Sequence, residues 1–352
     1  MMRVLLVCQD TGENVGWSFR RLLPQFGHSV AIIDEEQYFG RLPGSLWQRV
    51  FNRLAGHPPA YGRFNRDVCR MASQFQPDLV LVLKGGHLSP QTLRWVKRET
   101  RATLINYCLD DFFPLNARAI TPGWHAGIPV WDAIVTTKRY NVEELKTRGA
   151  KRAVFVRCGY DPLVHYPVSV SAEEQSLWGS DVLFIGTYEA ERAQFLEYLA
   201  GRHVCKLRIY GNGWASVTPR SPLYPYTLRQ PLYGHQKRLA LSSARIALAF
   251  LRKANRDTYS DRSFEIPACR AFMLAERSRE HQLLYDEGQE IECFSTRAEL
   301  VEKAVYYSEH AHERQAIAEA GYRRVLQDGH TYEHRLEEIL KVARDVQQVE
   351  AG

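Results

Sequence analysis

The chain has 352 residues, of which 45% are apolar and 24% charged, and its formal net charge at pH 7 is +6. This composition is typical of a globular protein of about two domains; it excludes a disordered chain, a collagen-like fibre and a small disulfide-stapled fold. The positive charge lies in residues 1–170, which hold 22 Lys and Arg against 14 Asp and Glu. A mildly basic half of this kind suits an anionic partner.

The N-terminal apolar run ends at Cys8 and is too short for a signal peptide, so it predicts a first strand. No run approaches about 18 apolar residues, and we expect no membrane-spanning helix. The seven cysteines are scattered without a CxxC pair, which predicts reduced thiols, no metal site and a cytoplasmic location. No nucleic-acid-binding motif is present, so nucleic acid is not expected as a partner.

Strand-like and helix-like runs alternate along the first half of the chain. Strands are predicted over residues 3–8, 29–34, 78–83, 102–109, 132–137 and 153–156, and helices over 17–26, 90–99 and 140–148. Short apolar runs linked by helices indicate βαβ units and a parallel sheet that is covered on both faces.

The alternation stops and then restarts in the second half. Residues 157–179 show no sustained periodicity and predict an interdomain connection. Strands follow over 181–185, 206–210, 246–250, 271–275 and 291–294, with helices over 190–199, 297–322 and 332–349. The pattern predicts one α/β architecture used twice, with ligands bound by the loops at the carboxyl ends of the strands.

The loop after the first strand is the first candidate for ligand contact. It contains Gly12, Asn14 and Gly16. Glycines allow close backbone approach, and the following helix begins there, which favours an anion. A plain tight turn into the helix is the equal alternative.

Charged residues follow the third and fourth strands. Lys84 and His87 come after the third, where His87 is either a general base or a polar loop residue. Asp110 and Asp111 come after the fourth. Adjacent side chains rarely point the same way, so one of these carboxylates faces the ligand and the other caps a turn.

Two strand exits of the second half could hold a phosphorylated ligand. Gly186 and Thr187 end one strand, and Arg192 lies five residues past Thr187, so the three could cradle a diphosphate. A generic strand–helix turn with a solvated arginine is the alternative. Gly211 lies in the glycine-rich exit of the next strand.

A predicted helix begins near Arg262 and carries Glu265 in its first turn. A carboxylate there is favoured by the helix dipole. If it faces the ligand, it can also accept two hydrogen bonds from a ribose diol.

These motifs follow one another in a known order. They cover residues 77–85, 110–111, 132–137, 158–162, 181–187, 192, 209–214, 262–269, 299–300, 306–307, 330–332 and 335. In this order and spacing the chain resembles the spore-maturation-protein (CgeB-like) branch of the GT-B glycosyltransferases over nearly its full length.

The resemblance implies two Rossmann-like domains that face each other across a cleft. Residues 1–165 would bind the acceptor, residues 166–331 would bind a nucleotide-sugar, and the C-terminal helix at 332–352 would cross back to the first domain. Such enzymes use arginine, lysine and helix dipoles against the leaving diphosphate, so the resemblance implies neither a metal nor another cofactor.

The resemblance also assigns site residues. Glu265 matches the glutamate that binds the donor ribose, and the remaining donor-binding candidates are Gly186, Thr187, Arg192, Gly211, Arg252 and Arg262. Two further positions bear on the match to the family. Arg270 stands where glycine is usual. Asp257 stands eight residues before Glu265, at the position where related enzymes have a second acidic residue.

Glycosyl transfer from a nucleotide-diphosphate-sugar is the leading hypothesis, with a glycan, a lipid-linked compound or a small molecule as acceptor. Asp110, Asp111 and His87 are the candidates for a base that accepts the proton of the acceptor hydroxyl. An enzyme that retains the anomeric configuration needs no such base. A nucleotide-sugar epimerase and a non-catalytic nucleotide-sugar-binding protein are the alternatives.

Residues 44–55 predict a cationic amphipathic helix. Its apolar residues recur at helical spacing, while Arg49 and Arg53 lie off that stripe. Such a helix either packs its stripe on its own domain, which is the favoured interpretation, or lies on an anionic membrane. The second alternative would bring the protein to the inner face of the membrane.

Overall fold

The computed structural model describes residues 1–39, 59–114 and 122–351, and the chain forms two compact units. The described parts of Met1–Cys158, Ala254–Arg256 and Tyr332–Gly352 form unit 1, and Gly159–Lys253 with Asp257–Thr331 form unit 2. The helix predicted over residues 44–55 lies outside the described residues.

The chain passes from unit 1 to unit 2 after Cys158, seven residues before the predicted boundary at 165. The reason is local hydrogen bonding. The backbone N–H of Tyr160 donates to the carbonyl of His330 at 3.1 Å, and Arg238 donates to the carbonyl of Val164 at 2.8 Å. These hydrogen bonds fix residues 159–165 within unit 2.

The described residues of unit 1 contain a sheet of six parallel strands. They are β1 (Arg3–Cys8), β2 (Ser29–Asp34), β3 (Leu79–Leu83), β4 (Thr103–Cys108), β5 (Ala133–Thr136) and β6 (Ala153–Phe155), in the order β2-β1-β3-β4-β5-β6. Strands β3 and β4 are buried at every position, as expected for a parallel sheet covered on both faces. The loops after β1 and β3 flank the point where the strand order reverses, and such points are where open α/β sheets bind ligands.

Helices cover this sheet, and polar side chains cap the N-termini of two of them. The helices are α1 (Val15–Gln25), α2 (Glu36–Phe39), α3 (Pro59–Phe75), α4 (Pro90–Thr100), α5 (Pro122–Gly127) and α6 (Asn141–Thr147). The Asn14 side chain accepts from the N–H of Trp17 and caps α1, and Ser89 caps α4 in the same way.

Unit 2 contains a parallel sheet of five strands in its described residues. They are β7 (Ser180–Ile185), β8 (Leu207–Tyr210), β9 (Ala244–Ala249), β10 (Met273–Glu276) and β11 (Glu292–Phe294), in the order β11-β10-β9-β7-β8. Its helices are α7 (Ala172–Trp178), α8 (Ala190–Ala200), α9 (Gly234–Ser243), α10 (Arg262–Ala268), α11 (Arg279–Leu284), α12 (Arg297–Glu309) and α13 (Ala311–Gln327). The strand order reverses between β7 and β9, so their exit loops flank the switch point of this unit.

The last helix, α14 (Tyr332–Ala351), packs into unit 1. Its buried face carries Leu336, Ile339, Leu340 and Ala343, which share one core cluster with apolar side chains of β1, β3, β4 and β5. Spacings of three and four residues place these side chains on one side of the helix.

The predicted fold class is confirmed, since both units are parallel α/β sheets covered by helices. Two local predictions are wrong. The stretch 157–179 contains α7, which begins with a capping box between Ser171 and Glu174. The single helix predicted over 297–322 is two helices, because His310 leaves the helical conformation. Within the described ranges no helix is long and apolar enough to cross a membrane.

Candidate functional site

The exit loops of β7 and β8 lie against each other through two of the predicted glycines. Gly211 has φ +139°, and a Cβ placed on it would overlap the carbonyl oxygen of Gly186. The same oxygen accepts a hydrogen bond from Trp214 Nε1 at 2.8 Å. Gly211 therefore serves the close approach of two loops, and the carbonyl of Gly186 is already engaged.

Replacing Gly211 by Ala is expected to destabilise the protein by about 1–3 kcal/mol, the usual range for an overpacked site. The lower melting temperature would be measured by thermal denaturation. Gly12→Ala is the control, because a Cβ on Gly12 has no neighbour within 4 Å. Equal melting temperatures for the two variants would contradict this account of Gly211.

Arg192 lies in the first turn of α8 and is only 2% exposed. Its Nη1 donates to the carbonyl of Thr187 at 3.2 Å, but Nε and Nη2 are buried with no partner in the described chain. Burial, and next the charge of Arg262, lower the pKa of Arg192 to about 10. A buried cation with unused donors is costly unless an anion binds beside it.

Arg262 and Arg252 add positive charge near Arg192. Arg262 is the first residue of α10, and its Nε is also buried without a partner among the described residues. Arg252 is more exposed, and its Nε donates to Glu189 at 2.6 Å. The two arginines with unused donors, Arg192 and Arg262, are the better candidates to bind an anion.

Glu265 is held by two side chains that the sequence analysis did not identify. Lys237 Nζ on α9 donates to Oε2 at 2.8 Å, and His165 Nε2 lies 3.2 Å from Oε1. Burial opposes ionisation, but the charge of Lys237 and the contact with His165 outweigh it. The pKa of Glu265 is therefore held well below its ordinary value, and the carboxylate is ionised.

Lys237, Arg262 and Glu265 line one pocket of unit 2, together with apolar side chains of β7, β9 and α9 that include Ile185 and Leu241. No local sequence signal singles out Lys237 or His165. They stand 28 and 100 positions before Glu265, and the fold alone brings them to it.

Arg270, which replaces the usual glycine, lies two residues past the end of α10 in the left-handed region, with φ +57°. Glycine adopts this conformation without strain, which accounts for its use at such a position. The Arg270 side chain is half exposed, pairs with Glu319 on α13 and does not line the pocket of Glu265. The departure from the family pattern therefore leaves this pocket unobstructed.

In unit 1, the loop after β1 is built around its helix cap. Asn14 Oδ1 accepts from the N–H of Trp17 at 3.0 Å, and Nδ2 donates to the carbonyl of Gln9 at 2.9 Å. A Cβ on Gly16 would overlap the same carbonyl. Asn14 and Gly16 thus shape the turn, whereas Gly12 is exposed.

Lys84 and Asp110, at the ends of β3 and β4, form an ion pair with 2.7 Å between Nζ and Oδ2. Burial opposes the charge of Lys84, but Asp110 outweighs it, and the pKa of Lys84 is raised. The Asp110 side chain keeps 34% of its surface exposed, so this carboxylate can still reach a ligand.

The neighbouring carboxylate of Asp111 is buried and engaged. Arg256, which belongs to unit 1, binds it with two nitrogens, at 2.5 and 2.8 Å. Asn141 Nδ2 and the N–H of Phe113 donate to Oδ1 at 2.9 Å each. These bonds occupy the lone pairs of Asp111, which favours an organising role over that of a base.

His87 lies in the loop after β3, against a buried carboxylate that was not predicted. Its Nδ1 is 3.5 Å from Glu35 Oε2, and its ring stacks on Phe39 with centroids 3.8 Å apart. Glu35 is 2% exposed. His87 Nδ1 has no hydrogen-bond partner among the described residues, but one third of the side chain remains exposed, so the imidazole can still reach a ligand as a base.

No group of three or more His, Cys, Asp and Glu side chains is arranged to hold a metal ion in the part of the chain that the structure describes.

Comparison with known proteins agrees with these features. The glycosyl transferase-like family matches residues 192–341, which include most of unit 2. Spore protein CgeB of Bacillus subtilis (strain 168) is 23% identical over 271 residues, covering 72% of this chain and 78% of that protein. These matches confirm the resemblance to CgeB-like glycosyltransferases that the motifs predict. They also confirm the predicted enzyme class.

Solved structures are similar to this chain in fold. Sucrose-phosphate synthase from Thermosynechococcus elongatus has a TM-score of 0.66 at 14% identity and covers 100% of both chains. Anabaena HepE in complex with UDP-glucose has a TM-score of 0.62 at 11% identity, covering 98% of this chain and 100% of its own.

Proposed function

We propose that this chain, a glycosyltransferase of the GT-B fold and the CgeB-like type, takes its sugar from a nucleotide-diphosphate donor bound in unit 2. The observation that carries the proposal is the state of Arg192. It is a buried cation near Arg262, and two of its guanidinium nitrogens, Nε and Nη2, have no partner among the described residues. A diphosphate supplies the negative charge and acceptor oxygens that such a pair lacks.

The position of this pair supports the assignment. Arg192 follows the exit loop of β7, which flanks the switch point of unit 2. The structurally similar HepE is described in complex with UDP-glucose. We therefore take UDP as the first nucleotide to test, with ADP and GDP as alternatives.

Glu265 is the proposed ligand of the donor ribose. An ionised carboxylate has about four lone-pair sites. Lys237 and His165 occupy one each, which leaves two for a ribose diol. Glu265 shares its pocket with Arg262, one of the proposed diphosphate ligands.

In the proposed reaction, the bond between the anomeric carbon of the sugar and the diphosphate oxygen breaks, and a bond to the acceptor oxygen forms. Arg192 and Arg262 stabilise the charge that develops on the leaving diphosphate. The acceptor hydroxyl loses its proton, for which Asp110 and His87 of unit 1 are the proposed bases. The acceptor is a glycan, a lipid-linked compound or a small molecule.

The test is titration with UDP in the presence and absence of EDTA. UDP is expected to raise the melting temperature, because a ligand at 100 times its Kd stabilises the native state by about 2.7 kcal/mol. Since arginines take the role of a metal in this proposal, EDTA should change neither that shift nor sugar transfer.

Uridine and inorganic sulfate are the controls, because each lacks one half of the proposed contacts. If EDTA abolishes transfer and magnesium restores it, the metal-free mechanism is wrong. If UDP, ADP and GDP all leave the melting temperature unchanged, the donor site itself is wrong.

A further inference from the structure

The carboxylate of Glu265 is contacted from two sides by residues that belong to different elements of unit 2. Lys237 lies on α9 and His165 in the segment that opens the unit. Both are largely buried, with 18% and 3% of their side chains exposed. These two contacts fix both oxygens of the Glu265 carboxylate.

One ring nitrogen of His165 reaches both members of the ion pair. Its Nε2 lies 3.2 Å from Glu265 Oε1 and 3.3 Å from Lys237 Nζ, while Nδ1 is buried and has no partner within the described residues. His165 therefore fixes the positions of Glu265 and Lys237 relative to each other.

His165 is itself held by its backbone. Its N–H donates to the carbonyl of Asp161 at 2.8 Å, and Arg238 Nη1 donates to the carbonyl of Val164. Lys237 on α9 acts directly on Glu265, Arg262 on α10 shares its pocket, and His165 contacts its second oxygen. The surroundings strongly favour the ionised carboxylate.

We propose that Lys237 and His165 are positioning residues that keep Glu265 ionised and in one orientation for the ribose of the donor. The inference rests on the proposed function. Both residues would act on the ligand through Glu265. Lys237 provides the charge, and His165 fixes the second oxygen. Because Glu265 then stays ionised between about pH 5 and pH 8, its protonation contributes little change in nucleotide affinity across that range.

The test compares wild type, Lys237→Met and Lys237→Arg by calorimetric titration with UDP across that pH range. Without the lysine charge, burial raises the pKa of Glu265, so the carboxylate protonates as the pH falls. The ratio of the Met variant's Kd to the wild-type Kd is expected to rise about tenfold from pH 8 to pH 5, one pKa unit being a factor of ten. The ionisation of UDP cancels in this ratio.

The matched variants separate charge from packing. Lys237→Arg keeps the charge and is expected to hold its Kd ratio constant with pH. Lys237→Gln, which donates a hydrogen bond without charge, repeats the test if the Met variant does not fold. His165→Gln should retain more UDP affinity than His165→Phe, since only the glutamine can donate to Oε1.

The outcomes distinguish this inference from the donor site on which it rests. A Kd ratio that does not change with pH, or an Arg variant that behaves as the Met variant does, overturns the role of Lys237. Failure of the wild-type protein to bind UDP, ADP or GDP overturns the donor site, and the inference with it. A carbon-13 titration of Glu265 without ligand adds a direct readout, because its pKa must rise in Lys237→Met.

Discussion

Replacing Arg192 by Met is expected to lower kcat/KM by about 10²–10³-fold, the usual loss when one donor to a developing negative charge is removed. Methionine fills a similar volume, so the packing against Phe184, 5.9 Å from the guanidinium, is largely kept. The effect would be measured as initial rates of sugar transfer, together with UDP affinity by calorimetry.

The stability of the same variant provides a second, opposite readout. In the ligand-free protein Arg192 is a buried charge with unused donors, so removing it should leave the melting temperature unchanged or raise it. The stabilisation by UDP should fall at the same time. Arg323→Met, at a side chain that is 71% exposed, is the control. A lower melting temperature of Arg192→Met together with unchanged UDP affinity would show that Arg192 is structural.

Much of the fold could be predicted because the strands of a parallel sheet are short, apolar and continuous. The residues of β1 and β2 are predicted to the exact positions observed, since turn residues bound both runs. Helix α7 was not predicted because it has no buried residue, so only its capping box signals it. The break at His310 escaped prediction because helical residues stand on both sides of it.

Site residues could be predicted only where a side chain of suitable chemistry stands at the end of a predicted strand or the start of a predicted helix. Arg192 and Glu265 stand out because they follow strands or begin helices. The sequence could not distinguish Asp110 from Asp111, because the Arg256 that engages Asp111 is 145 residues away. Glu35, Lys237 and His165 were not identified for the same reason: their partners are distant in the sequence and meet only in the folded chain.

Replacing Glu265 by Gln is expected to weaken UDP binding by about 1–3 kcal/mol, the range for hydrogen bonds to a charged group. Its amide keeps one acceptor oxygen but loses the charge that faces Lys237. Glu302→Gln, at an exposed position of α12, is the control. Calorimetric titration measures the loss, and unchanged affinity would remove Glu265 from the donor site.

The same substitution has a stability effect whose pH dependence identifies its origin. Because the pKa of Glu265 is lower in the folded protein than in the unfolded chain, its ionisation stabilises the fold above the unfolded-state pKa. That contribution is lost as the pH falls through the folded-state pKa. The wild-type protein should therefore unfold at a higher temperature than Glu265→Gln near neutral pH, and the difference should shrink below about pH 4. A difference that stays constant into the acid range would mean that the glutamine disturbs packing, and that the Lys237–Glu265 pair does not stabilise the native state through its charge.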